Sequence, residues 1–299
     1  MEKKDFVSFP RAIPILMKSR LEPIFVWSWL TAIVCLIVGK GFPPVKPTLL
    51  TLLSMIFIVT SVYLYNDIND KEMDRLNPTK KNRPVVSKLV KEEDSMKLIY
   101  LSAIIGLIIS LYINIYTFIF SFIFFLWFTL YSYPTIRLKK RFLANDLTIF
   151  FGCILSSLIG SFSITGTLSL PALFAGLLFG VFFTFVIKPI FKDTPDTGED
   201  LLFGVKTLGN VLSWNRKIQL LILSLLFIMT ITPLTYVQLE FNIIVPIIVV
   251  AMNLIFLRTV FPIISGYKPL EVKKIYRYAY IYFFALQIIL IIGTFNLPF

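Results

Sequence analysis

Two groups of three aspartates have the residue type and the spacing of a metal-binding site. Their positions are Asp67, Asp70, Asp74, Asp193, Asp196 and Asp200. In each group the offsets are three and four residues, so a helix would project all three carboxylates to one side. Carboxylates this close repel one another unless a cation lies between them. We therefore interpret all six as catalytic, metal-binding residues of one site, formed where two helix ends face each other. The alternative for one member of each group is a structural cap or a general base.

The composition restricts which metal could bind there. The sequence contains no histidine, and its two cysteines, Cys35 and Cys153, both lie in apolar stretches. Neither a disulfide framework nor a cysteine zinc site is indicated. Oxygen ligands alone suit Mg²⁺, which takes a carboxylate or two and completes its coordination with water and substrate phosphates. We therefore expect Mg²⁺ as the cofactor.

Basic residues beside the aspartates could bind a phosphate group. They are Arg83, Arg137, Lys188 and Lys192. Lys188 and Lys192 would share one face if the helix continued past Pro189, and an arginine can bind a phosphate with two nitrogens. Snorkelling to lipid headgroups is the alternative for the lysines, and a topology signal is the alternative for Arg137. Aspartates, a bound Mg²⁺ and basic side chains together predict a diphosphate ligand. The apolar chain around them predicts that this diphosphate carries a hydrocarbon group.

Three further polar residues lie near these groups. Asn66 could orient a metal ligand, bind the metal through its amide oxygen, or only make a hydrogen bond at a helix end. Tyr131 could orient a substrate, although aromatic belts at the membrane interface also explain such tyrosines. Asp146 follows the basic run RLKKR, and we expect it to pair with Arg141.

The elements that position these residues are predicted to be membrane-spanning helices. The chain is 57% hydrophobic and 15% charged, whereas soluble domains have about 25% charged residues. Its mean hydropathy is +0.82. Without strand-like alternation, stretches near the ~20 residues that a bilayer requires are predicted to be helices. We place them at 23–42, 47–66, 97–114, 116–133, 143–165, 170–190, 217–236, 242–262 and 277–296.

We therefore predict one all-α domain over residues 1–299, with nine transmembrane helices bundled around a central cavity. Residues 1–22 lack the apolar core of a signal peptide and are interpreted as an amphipathic cytoplasmic lead-in. The protein is expected to be an integral, multi-pass membrane protein, in the cell membrane if it is prokaryotic.

The distribution of positive charge predicts the orientation in the bilayer. The net charge is +12, yet of the 29 Lys and Arg residues only Lys40 and Lys46 fall on one side of the predicted spans. This asymmetry is the positive-inside pattern, which places the amino terminus and both aspartate groups in the cytoplasm. Because topology accounts for the basic residues, we expect no nucleic-acid partner.

Three ordered motifs carry a resemblance to a known family. NDINDKEMD at 66–74 matches the NDxxDxxxD motif of the UbiA superfamily of intramembrane prenyltransferases, and KDTPDTGED at 192–200 is similar to its KDxxDxxxD motif. The segment YSYPTIRLK at 131–139 resembles the family's segment after the fourth span. One departure is Gly198-Glu199, where members often carry Glu-Gly, and this swap could change how Asp200 meets the metal.

The resemblance implies a role in isoprenoid biosynthesis. It implies Mg²⁺ held between the two motifs and transfer of a prenyl group from a polyprenyl diphosphate to a small acceptor. Phe and Tyr rings in the cavity would stabilise the allylic cation by about 0.5–2 kcal/mol each. The pattern Lys-Asp-x-Pro-Asp looks most like the homogentisate-type branch, so an aromatic, quinone-precursor-like acceptor is expected.

Three alternatives remain open from the sequence. A terpene cyclase of the same fold would ionise the diphosphate and quench the cation internally. A non-aromatic acceptor, such as a glycerol phosphate lipid or haem, is also compatible with the family resemblance. A transporter would place charges near the middle of the bilayer, where each costs ~2.5–3.5 kcal/mol, whereas these acids gather at span ends.

Overall fold

A computed structural model describes residues 6–78 and 80–295, without the side chain of Glu199. In that part of the chain all regular structure is helical, and nine segments are long and apolar enough to cross a membrane. The predicted all-α bundle of nine spans is therefore confirmed. Residues 1–5 of the expected lead-in, position 296 of the last expected span and the acidic side chain of the Gly198-Glu199 departure lie outside the described residues.

In the described residues the bundle is built from thirteen α-helices, one π-helix and two short 3₁₀ helices, Leu138–Lys140 and Phe261–Ile263. The α-helices and the π-helix are α1 (Phe9–Ser19), α2 (Leu21–Val38), α3 (Val45–Leu76), α4 (Glu92–Ile113), α5 (Ile115–Ser132), α6 (Ala144–Thr165), α7 (Leu170–Val181), the π-helix (Phe182–Lys192), α8 (Asp193–Leu202), α9 (Leu208–Val211), α10 (Trp214–Ile231), α11 (Pro233–Gln238), α12 (Ile244–Val260) and α13 (Pro269–Gly293). The sixth span joins α7, the π-helix and the start of α8, and the seventh joins α10 and α11.

Two helices are longer than the apolar stretches that predicted them. Helix α3 continues for ten residues past the expected end of the second span, because the first aspartate group forms its last turns and is buried inside the protein. Helix α13 begins at Pro269, a residue that suits the first helical turn. Lys273 and Lys274, which precede the ninth predicted span at 277–296, therefore lie on a helix.

The lead-in forms helix α1, which packs against the end of the bundle that carries the first motif. Ala12 and Leu16 on its apolar side are buried against Leu64 and Leu98 of α3 and α4. This packing sets the position of Arg20, which lies between α1 and α2 and is itself buried. A residue expected in a surface segment is thus brought into the interior.

The π-helix lies between α7 and α8 in the sixth span and ends at Lys192, the first residue of the second motif. Its bonding pattern, from residue i to i+5, is wider than that of an α-helix and is frequent at functional sites. Pro189 lies within it, at a point where a proline would disrupt an α-helix. Phe182 stacks on Tyr282 of α13 with 4.4 Å between the ring centroids. The segment buries Lys188 inside the bundle.

Candidate functional site

Two aspartates of the first motif are bound by arginines. Arg20 donates from Nε to Oδ2 of Asp67 at 2.7 Å and also contacts Oδ1 through Nη2. Arg83 donates from Nη1 to Oδ1 of Asp67 at 3.2 Å and binds Asp74 with the same nitrogen. Asp67 and Asp74 are buried, with 2% and 1% exposure. They join the start of α2, the end of α3 and the following loop.

Asp70, the middle aspartate of this motif, has different partners. Lys139 binds its Oδ1, and Nη2 of Arg137 lies 3.5 Å from the same oxygen. One turn earlier on α3, Asn66 accepts a hydrogen bond on Oδ1 from the hydroxyl of Ser132 at 2.6 Å. Asn66 is therefore held by a neighbouring helix, and its interaction is not that of a helix end.

The second motif is tied to α6 through a buried lysine. Lys188 donates from Nζ to Oδ2 of Asp193 at 2.9 Å and to Oδ1 of Asp146 at 2.6 Å. The other oxygen of Asp146 accepts the backbone N–H of Leu208 at 3.0 Å. The expected pairing of Asp146 with Arg141 is wrong, because α6 turns Asp146 into the bundle while Arg141 is exposed.

Four of the six predicted aspartates line one cavity of about 240 Å³, which we call the acidic chamber. Its polar lining includes Asp70, Asp193, Asp196, Asp200, Asn66, Tyr131 and the ammonium groups of Lys80, Lys139 and Lys188. Nζ of Lys80 lies 3.5 Å from Oδ2 of Asp196, which links the loop after the first motif to the second motif. The carboxylates of two distant motifs are thus brought together, as their matching spacing predicts.

A second cavity of about 250 Å³, which we call the apolar chamber, adjoins the first. Aromatic and aliphatic side chains form most of its wall, among them Trp27, Leu30, Phe183 and Phe283. Its charged lining residues are Arg20, Glu22, Lys188, Lys192 and Asp193. Both chambers are lined by Tyr63, Ile149, Lys188 and Asp193, so these four residues form their junction.

The predicted phosphate-binding residues are distributed unevenly over the two chambers. Lys188 lines both, and Tyr131 lines only the acidic one. Lys192 lines the apolar chamber, where Nζ lies 3.9 Å from a Glu22 oxygen and 5.2 Å from the Phe183 ring centroid. Arg83 and Arg137 bind carboxylates of the first motif, and phosphate binding by these two stays a prediction.

The acidic chamber has the donor chemistry that Mg²⁺ requires. Its four carboxylates and the amide of Asn66 offer only hard oxygen ligands. Among the described residues no three ligating side chains are already clustered around one point. Instead, Lys139 and Lys188 neutralise Asp70 and Asp193. Burial, together with the charges of Asp193 and Asp196, raises the pKa of Asp200 to about 6. The chamber therefore suits a bound cation, which would take the place of the lysine ammonium groups at Asp70 and Asp193.

Several residues of the site were not singled out by the sequence. Arg20 was placed only in the amphipathic lead-in, and Lys139 was included only as part of the segment 131–139 and of the basic run RLKKR. Asp146 carried a usable signal, because an acidic residue inside an apolar stretch is rare and usually functional. Nothing in the sequence pattern around Ser132 indicates that it contributes to the site.

Comparison with protein families decides what this bundle is. Residues 26–288 match the model of the UbiA prenyltransferase family. The chain belongs to the UbiA prenyltransferase family. It is therefore a prenyltransferase and an integral, multi-pass membrane protein, and this assignment excludes the transporter alternative. A comparison of the sequence with curated proteins gives no match.

Solved structures of UbiA proteins share the fold. A digeranylgeranylglyceryl phosphate synthase aligns with a TM-score of 0.75 at 22% identity, over 95% of this chain and 98% of its own. A UbiA homologue from Archaeoglobus fulgidus bound to GPP and Mg²⁺ aligns with a TM-score of 0.67 at 18% identity, over 90% and 99%. The apo UbiA homologue from Aeropyrum pernix K1 gives 0.57 at 15% identity, over 89% and 94%.

Proposed function

We propose that this UbiA protein transfers a prenyl group from a polyprenyl diphosphate to an acceptor within the membrane, and that the transfer depends on Mg²⁺. The observation that carries the proposal is the junction of the two chambers. A cavity of carboxylates and lysines meets a cavity of apolar walls at Tyr63, Ile149, Lys188 and Asp193. The A. fulgidus homologue bound to GPP and Mg²⁺ supports the same ligand chemistry.

The acidic chamber would hold the diphosphate. Asp70, Asp193, Asp196 and Asp200 would hold Mg²⁺, which supplies positive charge for the departing diphosphate when bound. The bond between carbon 1 of the prenyl group and the diphosphate oxygen breaks, and its electron pair leaves with the diphosphate. Lys188 and the other ammonium groups of the chamber can donate to the phosphate oxygens as their charge grows.

The junction would bring the acceptor to carbon 1. The acceptor forms a bond to this carbon and releases a proton. The ring of Tyr63 lies at the junction and can stabilise the cationic carbon, while the apolar wall excludes water that would compete with the acceptor. The two substrates account for the two chambers. The diphosphate with its metal would occupy the acidic chamber, and the acceptor would occupy the apolar chamber.

Two acceptor classes fit the apolar chamber. We favour a phosphate-bearing lipid, because the cationic groups of Arg20, Lys188 and Lys192 line this chamber and because a digeranylgeranylglyceryl phosphate synthase shares the fold. An aromatic quinone precursor is the second candidate, because Trp27 and Phe183 offer rings on which an aromatic acceptor could pack. By the positive-inside pattern, both chambers would lie on the cytoplasmic side of the membrane.

The test is product analysis with purified protein in lipid nanodiscs. Labelled geranyl, farnesyl and geranylgeranyl diphosphates are each supplied with Mg²⁺ and either an alkylglycerol phosphate, an aromatic acid such as homogentisate, or no acceptor. We expect a prenylated glycerol phosphate lipid. A prenylated aromatic product would instead support the second candidate.

Two other outcomes would contradict the proposal. A cyclic hydrocarbon or alcohol formed without any acceptor would establish a cyclase. The absence of any product from folded protein, with every donor and acceptor, would contradict prenyl transfer by this chain under these conditions.

A further inference from the structure

Asp146 is a buried acid that the proposed reaction does not use directly. It lies in the first turn of α6 and has no exposed surface. It does not line either chamber, yet its Oδ1 lies 2.6 Å from Nζ of Lys188, a residue that lines both. Burying a carboxylate is costly unless it is paired and hydrogen-bonded, so its position needs an explanation.

The surroundings of Asp146 hold it in a fixed orientation. Its second oxygen accepts the backbone N–H of Leu208 at 3.0 Å. Leu208 begins α9, which Thr207 caps by accepting a hydrogen bond from the backbone of Asn210. Because both of its oxygens are hydrogen-bonded, Asp146 would stay on Lys188 when a cation binds in the acidic chamber.

Lys188 therefore has two carboxylates of different kinds. Asp193, at 2.9 Å from its Nζ, lines the acidic chamber and is an expected metal ligand. Asp146 lies behind the lysine, outside the chamber. Lys188 thus lies between two carboxylates, Asp146 and Asp193. Only Asp193 lines the chamber, so only Asp193 could exchange the lysine for a cation.

We propose that Asp146 is a positioning residue that retains the Lys188 ammonium group when Asp193 leaves it to bind a divalent cation. This inference rests on the proposed function, since it assumes that Asp193 is a metal ligand. It assigns to Asp146 a role in metal affinity, without contact between Asp146 and the metal or the substrate.

The physical argument is the cost of a buried, unpaired charge. With Asp146 ionised, Lys188 keeps one salt bridge after Asp193 turns to the cation. With a neutral residue at 146, Asp193 becomes the only carboxylate paired with Lys188 among the described side chains. Releasing it would strand a buried ammonium, a change that is strongly unfavourable. A neutral residue at 146 should thus weaken metal binding.

A second mechanism would also weaken metal binding when residue 146 is neutral, and the experiment must distinguish it from the first. A negative charge at 146 would attract a cation in the chamber even without Lys188. The two differ in a Lys188→Gln background, where no ammonium has to be retained. If Asp146 acts through Lys188, Asp146→Asn should have little further effect there, whereas direct attraction should persist.

The experiment measures Mn²⁺ binding to the full-length protein by electron paramagnetic resonance, with no prenyl substrate present. The variants are Asp146→Asn, Lys188→Gln and the double variant. Asp94→Asn is the matched control, because Asp94 is also buried and paired with a lysine, at 3.1 Å from Lys97, on a helix outside both chambers. The Mg²⁺ half-saturation and kcat of diphosphate release are measured alongside.

We expect Asp146→Asn to weaken Mn²⁺ binding by about ten- to a hundredfold, the lower range of coupling between close charge pairs. The Mg²⁺ half-saturation should rise by a similar factor, kcat at saturating Mg²⁺ should change less, and Asp146→Glu should restore much of the affinity. The double variant should match Lys188→Gln within about twofold. Asp94→Asn should bind Mn²⁺ like the wild type.

Three results would overturn the inference. The first is an unchanged Mn²⁺ affinity in folded Asp146→Asn. The second is an equal loss from Asp146→Asn with and without Lys188. The third is a difference of more than about tenfold in Mn²⁺ affinity between Lys188→Gln and the double variant, which is far beyond additive scatter. This third result is decisive even if Asp146→Asn does not fold. A wild type that neither binds Mn²⁺ nor releases diphosphate would instead contradict the proposed function.

Discussion

The guanidinium of Arg20 binds the carboxylate of Asp67 through two nitrogens, with 2.7 Å between Nε and Oδ2. Three residues later, Asp70 faces the acidic chamber and binds Lys139. Although these aspartates belong to one motif and share one side of α3, their surroundings differ. The first motif therefore combines a carboxylate that fastens α1, α2 and α3 together with a carboxylate that lines the acidic chamber, for which we propose metal binding.

The pairing of Asp67 with Arg20 predicts an effect on stability. We expect Asp67→Asn to lower the free energy of unfolding by about 3–5 kcal/mol, because it leaves the buried charge of Arg20 without its partner. The measurement is unfolding in mixed micelles, followed by tryptophan fluorescence. Glu72→Gln on the same helix is the control, since the Glu72–Arg75 pair is exposed and such pairs contribute about 0–1 kcal/mol. Equal stability of the two variants would argue against a fastening role for Asp67.

Gly209 predicts a close contact between α9 and the second motif. A side-chain carbon at this position would lie 2.8 Å from the carbonyl oxygen of Pro189 and would also meet Cβ of Asp193. We expect Gly209→Ala to destabilise the protein by about 1–3 kcal/mol, the usual cost of overpacking, and to reduce diphosphate release by displacing Asp193. Gly266→Ala is the matched control, because open space surrounds Gly266. Wild-type turnover in Gly209→Ala would contradict the contact.

The pKa of Asp200 predicts how metal binding depends on pH. Its carboxyl group titrates at about 6 because burial and the charges of Asp193 and Asp196 disfavour ionisation. Since a metal ligand must be deprotonated, protons compete with Mg²⁺ below this pH. The Mg²⁺ half-saturation should be nearly constant from pH 7 to 8 and should rise by about tenfold for each unit below 6.

Asp200→Asn provides the test of this assignment. The variant should bind Mg²⁺ more weakly at pH 8, and the part of the pH dependence with an apparent pKa near 6 should disappear. An unchanged profile would show that another group titrates, and that Asp200 is not the carboxylate responsible.

Much of the architecture could be predicted from apolar runs and aspartate spacing alone. Nine runs of suitable length gave nine spans in the described part of the chain. The equal offsets within the two aspartate groups correctly indicated that both motifs meet. These features are local or periodic, so a single sequence displays them. The end of the second span was missed because hydropathy stops at Asn66, whereas the helix continues while its acids find buried partners.

The contacts between motifs could not be predicted in the same way. Asp146 was assigned to Arg141, its neighbour in the sequence, but α6 directs it toward Lys188 of the sixth span. Similarly, Arg20 meets Asp67 where α1 packs on an apolar cluster that includes residues of α3 and α4. The π-helix decides where Lys188 and Lys192 point, and a pattern based on 3.6 residues per turn does not anticipate it.

The most direct test of the account is diphosphate release by the purified protein, with a polyprenyl diphosphate and an acceptor, in Mg²⁺ or in EDTA. The wild type and Glu72→Gln should release diphosphate only with Mg²⁺. Asp70→Asn and Asp196→Asn, whose carboxylates come from different motifs but line the same chamber, should each lose about a hundred- to a thousandfold in rate, measured on the protein that stays folded. Release that persists in either variant, or that does not require Mg²⁺, would contradict a shared metal site.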